Sequence, residues 1–499
     1  MSHKSQLVKN TVIIAIGKIG SQILSYILLP LFTAKMAVDE YGTYDLACTL
    51  SVFLAPIITL LMEEAMFRFL IDAKTEKEKK DVISQTVIYT LLGFTVFVPL
   101  ALLFFSIYSK YPASFTNVFI IFIISDVLIL VSSALARGLS RIKLYSVTNF
   151  ILGISTLAIT IIMLLSYPKA EGLLWANTIA NLITATIVFY KLKIHHYIGK
   201  PNKKIMKQMA RYSIPLVPNS ISWSIINMSD RIIITQMIDS SANGIYAMAS
   251  KFPSIINVLY SYFYTAWKES AAKIIKDENR SEAYNSIYHD MRKFLYAVTI
   301  CLIASMPIVF PFFINKSYSD AYQYIPIIML ATYYSCISSF YGGIFGAFKK
   351  TKIMGTTTII AAILNLIVDL VLINFIGIYA ACISTLLSNM LISIYRKNKL
   401  KKYLKLKELD KRRSFGILVL ICFAYYSKFI PGFSYKLYWI FVYSALLIAV
   451  TYSYKINRVF LLSFFKKIIN RKNKNKSNKE DNIWNTLEQM ELEELQTRS

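Results

Sequence analysis

The chain has 499 residues, of which 56% are hydrophobic, 14% aromatic and only 17% charged, with a formal net charge of +27. A soluble chain carries about a quarter charged residues, and it has no use for recurring apolar windows of about 20 residues, each able to cross a hydrocarbon core roughly 30 Å thick. A soluble fold is therefore excluded, and nucleic-acid binding with it, because the lysines and arginines gather between alternate apolar segments as they do in cytoplasmic loops.

In chain order the pattern predicts fourteen spans, near residues 11–34, 43–66, 83–107, 115–136, 144–166, 171–191, 214–238, 245–267, 293–314, 322–348, 353–373, 375–396, 414–430 and 437–454. The first run is too long for the apolar region of a signal peptide and lacks a small-residue cleavage site. With the N-terminus inside, the internal cytoplasmic loops hold about 34 lysines and arginines and the outer loops about six, which also places the C-terminus inside. Short connections such as "SYPKAEG" and "INFIGIYA" force antiparallel hairpins. The loops 191–213, 268–292 and 396–413 are longer and basic. "RKNKLKKYLKLKELDKRR" puts Leu400, Tyr403 and Leu404 on one side, which suits a helix on an anionic leaflet or, more simply, a topological signal. His195 and His196 read as solvated loop residues, and no metal site is expected. Cys48, Cys301, Cys336, Cys382 and Cys422 lie singly in apolar segments and read as small buried hydrophobes. Beyond Asn470 the chain is low-complexity and expected to be disordered, followed by an acidic amphipathic stretch read as a frayed tail.

"DEYGTYDLACTL" (39–50) reappears as "SANGIYAMASKF" (241–252), matching at Gly42/Gly244, Tyr44/Tyr246 and Ala47/Ala249. "GLLWANTIANLITATIVFYK" (172–191) reappears as "GIYAACISTLLSNMLISIYR" (377–396), and "SRIKLY" (140–145) as "KTKIMG" (350–355), all at nearly constant offset. Six spans are thus followed by six of the same design, giving an N-lobe (1–200), a C-lobe (201–400), two extra spans (401–456) and a tail (457–499). The expected fold is an all-α polytopic membrane protein with two pseudo-symmetric lobes around a cleft, an arrangement suited to alternating access.

The stretches "IAIGKIGSQILSYILLPLFTAKMAVDEYGTYDL", "EEAMFRFL", "LARGLSRIKLYS" and "GIYAACISTLL" resemble the polysaccharide flippases of bacterial surface-glycan pathways, within the exporter superfamily that includes MATE-like multidrug extrusion proteins and the lipid II flippase. That resemblance covers roughly residues 8–400. It implies movement of an undecaprenyl-diphosphate-linked oligosaccharide across the bacterial cytoplasmic membrane, with polysaccharide polymerases or glycosyltransferases as partners and a monomeric state.

Charges inside a membrane are costly and face a bundle interior or a wet cavity. A lipid diphosphate calls for cations, so Lys18, Arg231 and Lys251 are the candidate cavity cations. Asp126, Asp230 and Asp369 are candidates for ion coupling to a proton or sodium gradient, or for interior salt bridges. Glu63 and Glu64 are expected in the last turn of the second span, Glu64 pairing with Arg68 at i,i+4 and Glu63 bracing a helix bearing Arg137 or Arg141, the five together forming an inner gate. "YSYFYTAW" (260–267) reads as an interfacial aromatic belt. "TYYSCISSFYGG" (332–343) runs polar and small residues through mid-membrane. The outer loops are too short for a polytopic glycosyltransferase or ligase, and no Walker motif is present. A multidrug–cation antiporter on the same scaffold stays open as an alternative.

Overall fold

Helices supply the regular structure throughout the computed structural model, which describes residues 26–108, 112–275, 278–348, 350–404, 406 and 411–454. With no water in a bilayer core, the backbone must satisfy its own hydrogen bonds, and helices do this within one segment. Ten of the described helices are long and apolar enough to cross a membrane, and Phe415–Phe429 is a shorter apolar one. Val217–Met237 and Ser240–Ile274 also have the length but are not among the ten, and they carry Asp230, Arg231 and Lys251.

The described N-lobe comprises α1 (Leu29–Lys35), α2 (Val38–Thr59), α3 (Met62–Asp72), α4 (Glu76–Tyr108), α5 (Ala113–Gly138), α6 (Ile142–Ser166) and α7 (Ala170–Lys191). After α8 (Lys203–Ser213) the C-lobe follows as α9 (Val217–Met237), α10 (Ser240–Ile274), α11 (Arg280–Phe313), α12 (Ile325–Ala347), α13 (Thr351–Ile376) and α14 (Ile378–Leu400). Then come α15 (Lys411–Tyr426) and α16 (Tyr435–Tyr454). By contacts the chain divides into two units. One comprises residues 1–277 and 306–405 and holds most of both repeats; the other comprises 278–305 and 406–499. Within the first unit the repeat is visible in the packing: α5 and α6 each pack on α7, and their counterparts α12 and α13 each pack on α14.

Helix α5 is the hub of the N-lobe, with Phe119, Ile123, Val127 and Ala134 buried. Helices α4 and α13 instead turn Leu92, Val96, Leu100, Ile360, Ile363 and Ile367 to the surface. Such apolar faces are tolerated where the surrounding medium is lipid.

Two expectations need correction. The second span does not run through "EEAMF". It stops at Thr59, Leu60 and Leu61 both take left-handed φ (50° and 55°), and α3 begins at Met62. Glu63 and Glu64 therefore open a new helix, where carboxylates favour the positive dipole end. Thr59 helps form the corner, its hydroxyl donating to the Ala55 carbonyl (3.0 Å) and accepting from the Leu61 amide (3.2 Å). Nor do Leu400 and Leu404 face a leaflet. Helix α14 ends at Leu400, both leucines are buried, and the Tyr403 ring packs on Phe345 and Phe348.

Candidate functional site

The two halves meet along a seam in which α2 packs on α9 and α10. Its tightest point is the repeated motif itself. A Cβ on Gly42 would run into the Ser240 carbonyl, and a Cβ on Gly244 into the Val38 carbonyl. Exchanging each residue for its repeat counterpart turns one contact into the other, so the motif crosses its own copy as an isologous contact does at a twofold axis. Glycine is required because the backbones touch. Asn243, fully buried, donates from Nδ2 to the Gly42 carbonyl at 2.7 Å. The Tyr318 hydroxyl lies 3.1 Å from the carbonyls of both Met36 and Ala37, which secures the same end of α2.

One turn inward, charge enters the seam. Arg231 on α9 donates from Nε to Asp45 Oδ2 on α2 at 2.6 Å, an ion pair joining the lobes. Lys251 on α10 places Nζ 5.9 Å from the centre of the Tyr41 ring, at the outer limit of a cation–π contact. Tyr26 donates to the Lys251 carbonyl at 3.0 Å and lies 2.6 Å from the Ser254 hydroxyl. Arg231 and Lys251 are thus brought to one face of the lobe contact. Lys18 lies outside the described residues. Asp45 was not singled out in the sequence, although it stands three residues after the repeated glycine; the reciprocal crossing of the repeats was the signal available.

Each lobe also holds carboxylates among its helices, half-buried in the N-lobe and fully buried in the C-lobe. In the N-lobe Asp126 accepts from the Ser51 hydroxyl (2.6 Å) and from Asn181 Nδ2 (3.2 Å), so it is held by neutral donors. In the C-lobe Asp230 Oδ2 accepts from the hydroxyls of Tyr246 and Thr385, each at 2.6 Å. Asp369 on α13 is fully buried against Asp230. Asn365, one turn before Asp369, accepts from Ser229 and donates to Ser384 at 3.1 Å each. Asp369 thus has Asp230 and Ser384 as its polar neighbours. Two buried carboxylates facing each other, beside hydroxyl and amide oxygens, form a donor set able to take a proton or a small hard cation.

The five residues expected at an inner gate are not gathered in one place. Glu63 on α3 is buried, within electrostatic reach of Arg137 on α5. Helix α3 is too short to span, and burial raises the Glu63 carboxyl above its ordinary range, a shift partly offset by hydrogen bonds with its own amide and with Thr59 and, least, by Arg137. Arg137 lies 5.0 Å over the Phe67 ring and 5.6 Å over the Tyr145 ring. Arg68 pairs forward with Asp72 (2.7 Å) rather than back with Glu64, and both Arg68 and Glu64 are exposed. Arg141 turns to a basic pocket beside α4. The aromatic stretch 260–267 is not simply a belt either. Trp267 is buried, stacks on Phe340 (4.2 Å, 10°), and donates from Nε1 to the Phe340 carbonyl at 3.1 Å in the space left by Gly343.

Against known proteins, the family model described as "Polysaccharide biosynthesis protein" matches residues 7–267. A relative from Haemophilus influenzae, "Lsg locus putative protein 1", is 21% identical over 286 residues, covering 52% of this chain and 67% of the relative. The fold resembles that of the lipid II flippase MurJ in an inward closed conformation (TM-score 0.70, 15% identity, 90% of this chain and 100% of that one). It also resembles a multidrug resistance MATE family transporter in an inward-facing conformation (TM-score 0.61, 14% identity, 76% and 95%). The family match covers more than half of the chain, and the fold that carries the seam is the MurJ/MATE fold: this is a multi-pass membrane protein of the polysaccharide biosynthesis protein family.

Proposed function

We propose that the chain is a flippase that carries an undecaprenyl-diphosphate-linked oligosaccharide from the inner to the outer leaflet of a bacterial cytoplasmic membrane, a transporter rather than an enzyme. The observation that carries this reading is the seam: two copies of one motif meet reciprocally, with an interlobe ion pair and a second cation just inside it. The basic-loop asymmetry assigns the α2 start to the outer side and both termini to the cytoplasm. The seam is then an outer closure. When the lobes part, the Arg231–Asp45 pair separates, and Arg231 and Lys251 face a hydrated passage in which they offset the charge of a diphosphate. Lys18 is assigned to the same task from its place in the first span.

Coupling falls to the acidic pair of the C-lobe. A proton or sodium ion taken between Asp230 and Asp369, with Thr385 and Asn365 alongside, removes the repulsion of two buried carboxylates. It thereby biases the packing of α9 on α13 and, through α9, the seam. In the N-lobe Asp126 is a separate candidate, and the neutral donors around it allow it to hold a proton. A free-standing multidrug–cation antiporter would use the same acidic pair; the interlobe cations favour an anionic substrate instead. A polymerase or glycosyltransferase of the same pathway is the proposed partner, and the monomer the working unit.

The test is the appearance of a fluorescent polyprenyl-diphosphate oligosaccharide in the outer leaflet of reconstituted vesicles. Arg231→Ala and Lys251→Ala should each lower the rate by about tenfold or more without reducing insertion, the loss of one charge-assisted contact of roughly 1.5–3 kcal/mol. Wild-type rates in both variants would remove the assignment.

A further inference from the structure

Away from the seam, the N-lobe carries a second concentration of charge. A cavity of about 680 Å³ lies beside the first turns of α4, the α5–α6 turn and the chain that leaves α7. Lys77, Lys79, Lys80, Arg141, Lys191 and Lys193 line it, against a single carboxylate, Glu76. Glu76 is taken by Lys79 at 2.7 Å, and that hydrogen bond holds its carboxyl below the ordinary range. Among the described residues the other five cations make no ion pair.

The walls are fixed. Ser84, buried in α4, donates to the Tyr197 carbonyl at 2.6 Å and accepts from the Gly199 amide at 2.8 Å. Asn202 donates to Asp81 Oδ2 at 2.7 Å, so the connection after α7 is tied to α4 at Tyr197, Gly199 and Asn202. Gly199 sits so close to the Lys80 stem that an added Cβ would stand 2.9 Å from its Cε. Opposite, the α5–α6 turn closes through the Arg141 amide on the Ala136 carbonyl (2.9 Å), with Ser140 in the left-handed region (φ 56°).

A topological signal needs lysines on one side of the membrane but no cavity. Like charges gathered around one pocket repel wherever their separation falls within the screening length of about 8 Å, and they are tolerated more easily if an anion joins them. The volume falls in the range of small-molecule sites, roughly 300–1,000 Å³. A single carboxylate would leave most of the charge uncompensated, whereas a diphosphate supplies several oxygens for lysine point charges and for the planar guanidinium of Arg141. We propose that this pocket is a binding site for a diphosphate group, borne either by a lipid or by a soluble molecule. It goes beyond the transport reading, because it lies in one lobe and concerns binding alone.

The test is lysine footprinting of the full-length protein in phosphatidylcholine nanodiscs, with an amine-reactive label read by mass spectrometry. The probes are inorganic pyrophosphate, farnesyl diphosphate and phosphatidylglycerol, the last as a mono-anionic control. At saturating diphosphate, labelling of Lys77, Lys80, Lys191 and Lys193 should slow by about fivefold or more, as mass action requires, while Lys35 and Lys352 react as before. Protection by both diphosphates identifies the headgroup as the ligand; protection by farnesyl diphosphate alone identifies a lipid-borne one, and by pyrophosphate alone a soluble one. In Lys191→Gln/Lys193→Gln the protection of Lys77 and Lys80 should disappear. No protection by either diphosphate, protection by phosphatidylglycerol alone, or undiminished protection in the double variant overturns the proposal.

Discussion

Replacing Gly42 with alanine should open the end of the molecule where the two repeats cross. The added methyl runs into the Ser240 carbonyl and stands 2.7 Å from the Gly244 amide nitrogen, both of them backbone atoms that cannot rotate away. Overpacking of this kind costs about 1–3 kcal/mol. Alanine also favours the helix over glycine by about 1 kcal/mol, but in every state of the protein, so that gain cancels between states. The cost applies only where the crossing is closed, which shifts the closed-to-open ratio by roughly five- to 150-fold. Spin labels at Lys35→Cys and Ile238→Cys, both exposed, in a background without the five native cysteines, would report the separation of the two helix ends by electron–electron resonance. A longer-distance population should appear with Gly42→Ala and with Gly244→Ala. It should not appear with Gly355→Ala, where a Cβ meets nothing within 4 Å. An unchanged distance distribution in both seam variants would refute the idea that this crossing holds the lobes together.

Other perturbations test separate parts of the account. Asp230→Asn and Asp369→Asn should each leave the protein folded but make its transport rate indifferent to an imposed proton or sodium gradient; a gradient response equal to that of the wild type would remove the acidic pair from coupling. Gly343→Ala drives a methyl to within 2.6 Å of Trp267 Nε1, inside a buried stack, and should lower thermal stability by about 1–3 kcal/mol. A melting temperature equal to that of Gly346→Ala, whose Cβ meets nothing within 4 Å, would show the stack to be looser than its 4.2 Å spacing indicates.

Hydropathy and loop charge made the helical membrane class legible, because the bilayer leaves the backbone so few choices. The repeat was legible too, since Gly42 and Gly244 recur with their neighbours. What composition does not encode is which side chain faces which. Arg68 had acidic residues four positions away on both sides, and i,i+4 spacing alone does not choose between Glu64 and Asp72. The helix break at Leu60–Leu61 was hidden because leucine rarely takes a left-handed conformation and no glycine marks the corner. Trp267 looked interfacial because Tyr and Trp usually are, yet Gly343, 76 residues later, leaves room for it in the core. Lys191 and Arg396 close equivalent repeats but have diverged. Lys191 lines the basic pocket, whereas Arg396 is buried and donates to the Ser338 and Met354 carbonyls and to the Thr357 and Thr358 hydroxyls at 3.0–3.2 Å. Pairwise similarity between repeats says nothing about such a division of labour.

On the proposed mechanism the lobes part at the α2–α10 crossing for substrate to leave. Joining Lys35→Cys to Ile238→Cys with a flexible bis-maleimide, in the cysteine-free protein, tests it most directly. Flipping of a labelled polyprenyl-diphosphate oligosaccharide in vesicles should fall to background in the cross-linked double variant and stay near normal in each single variant given the same reagent. Undiminished flipping with the cross-link complete would contradict the account.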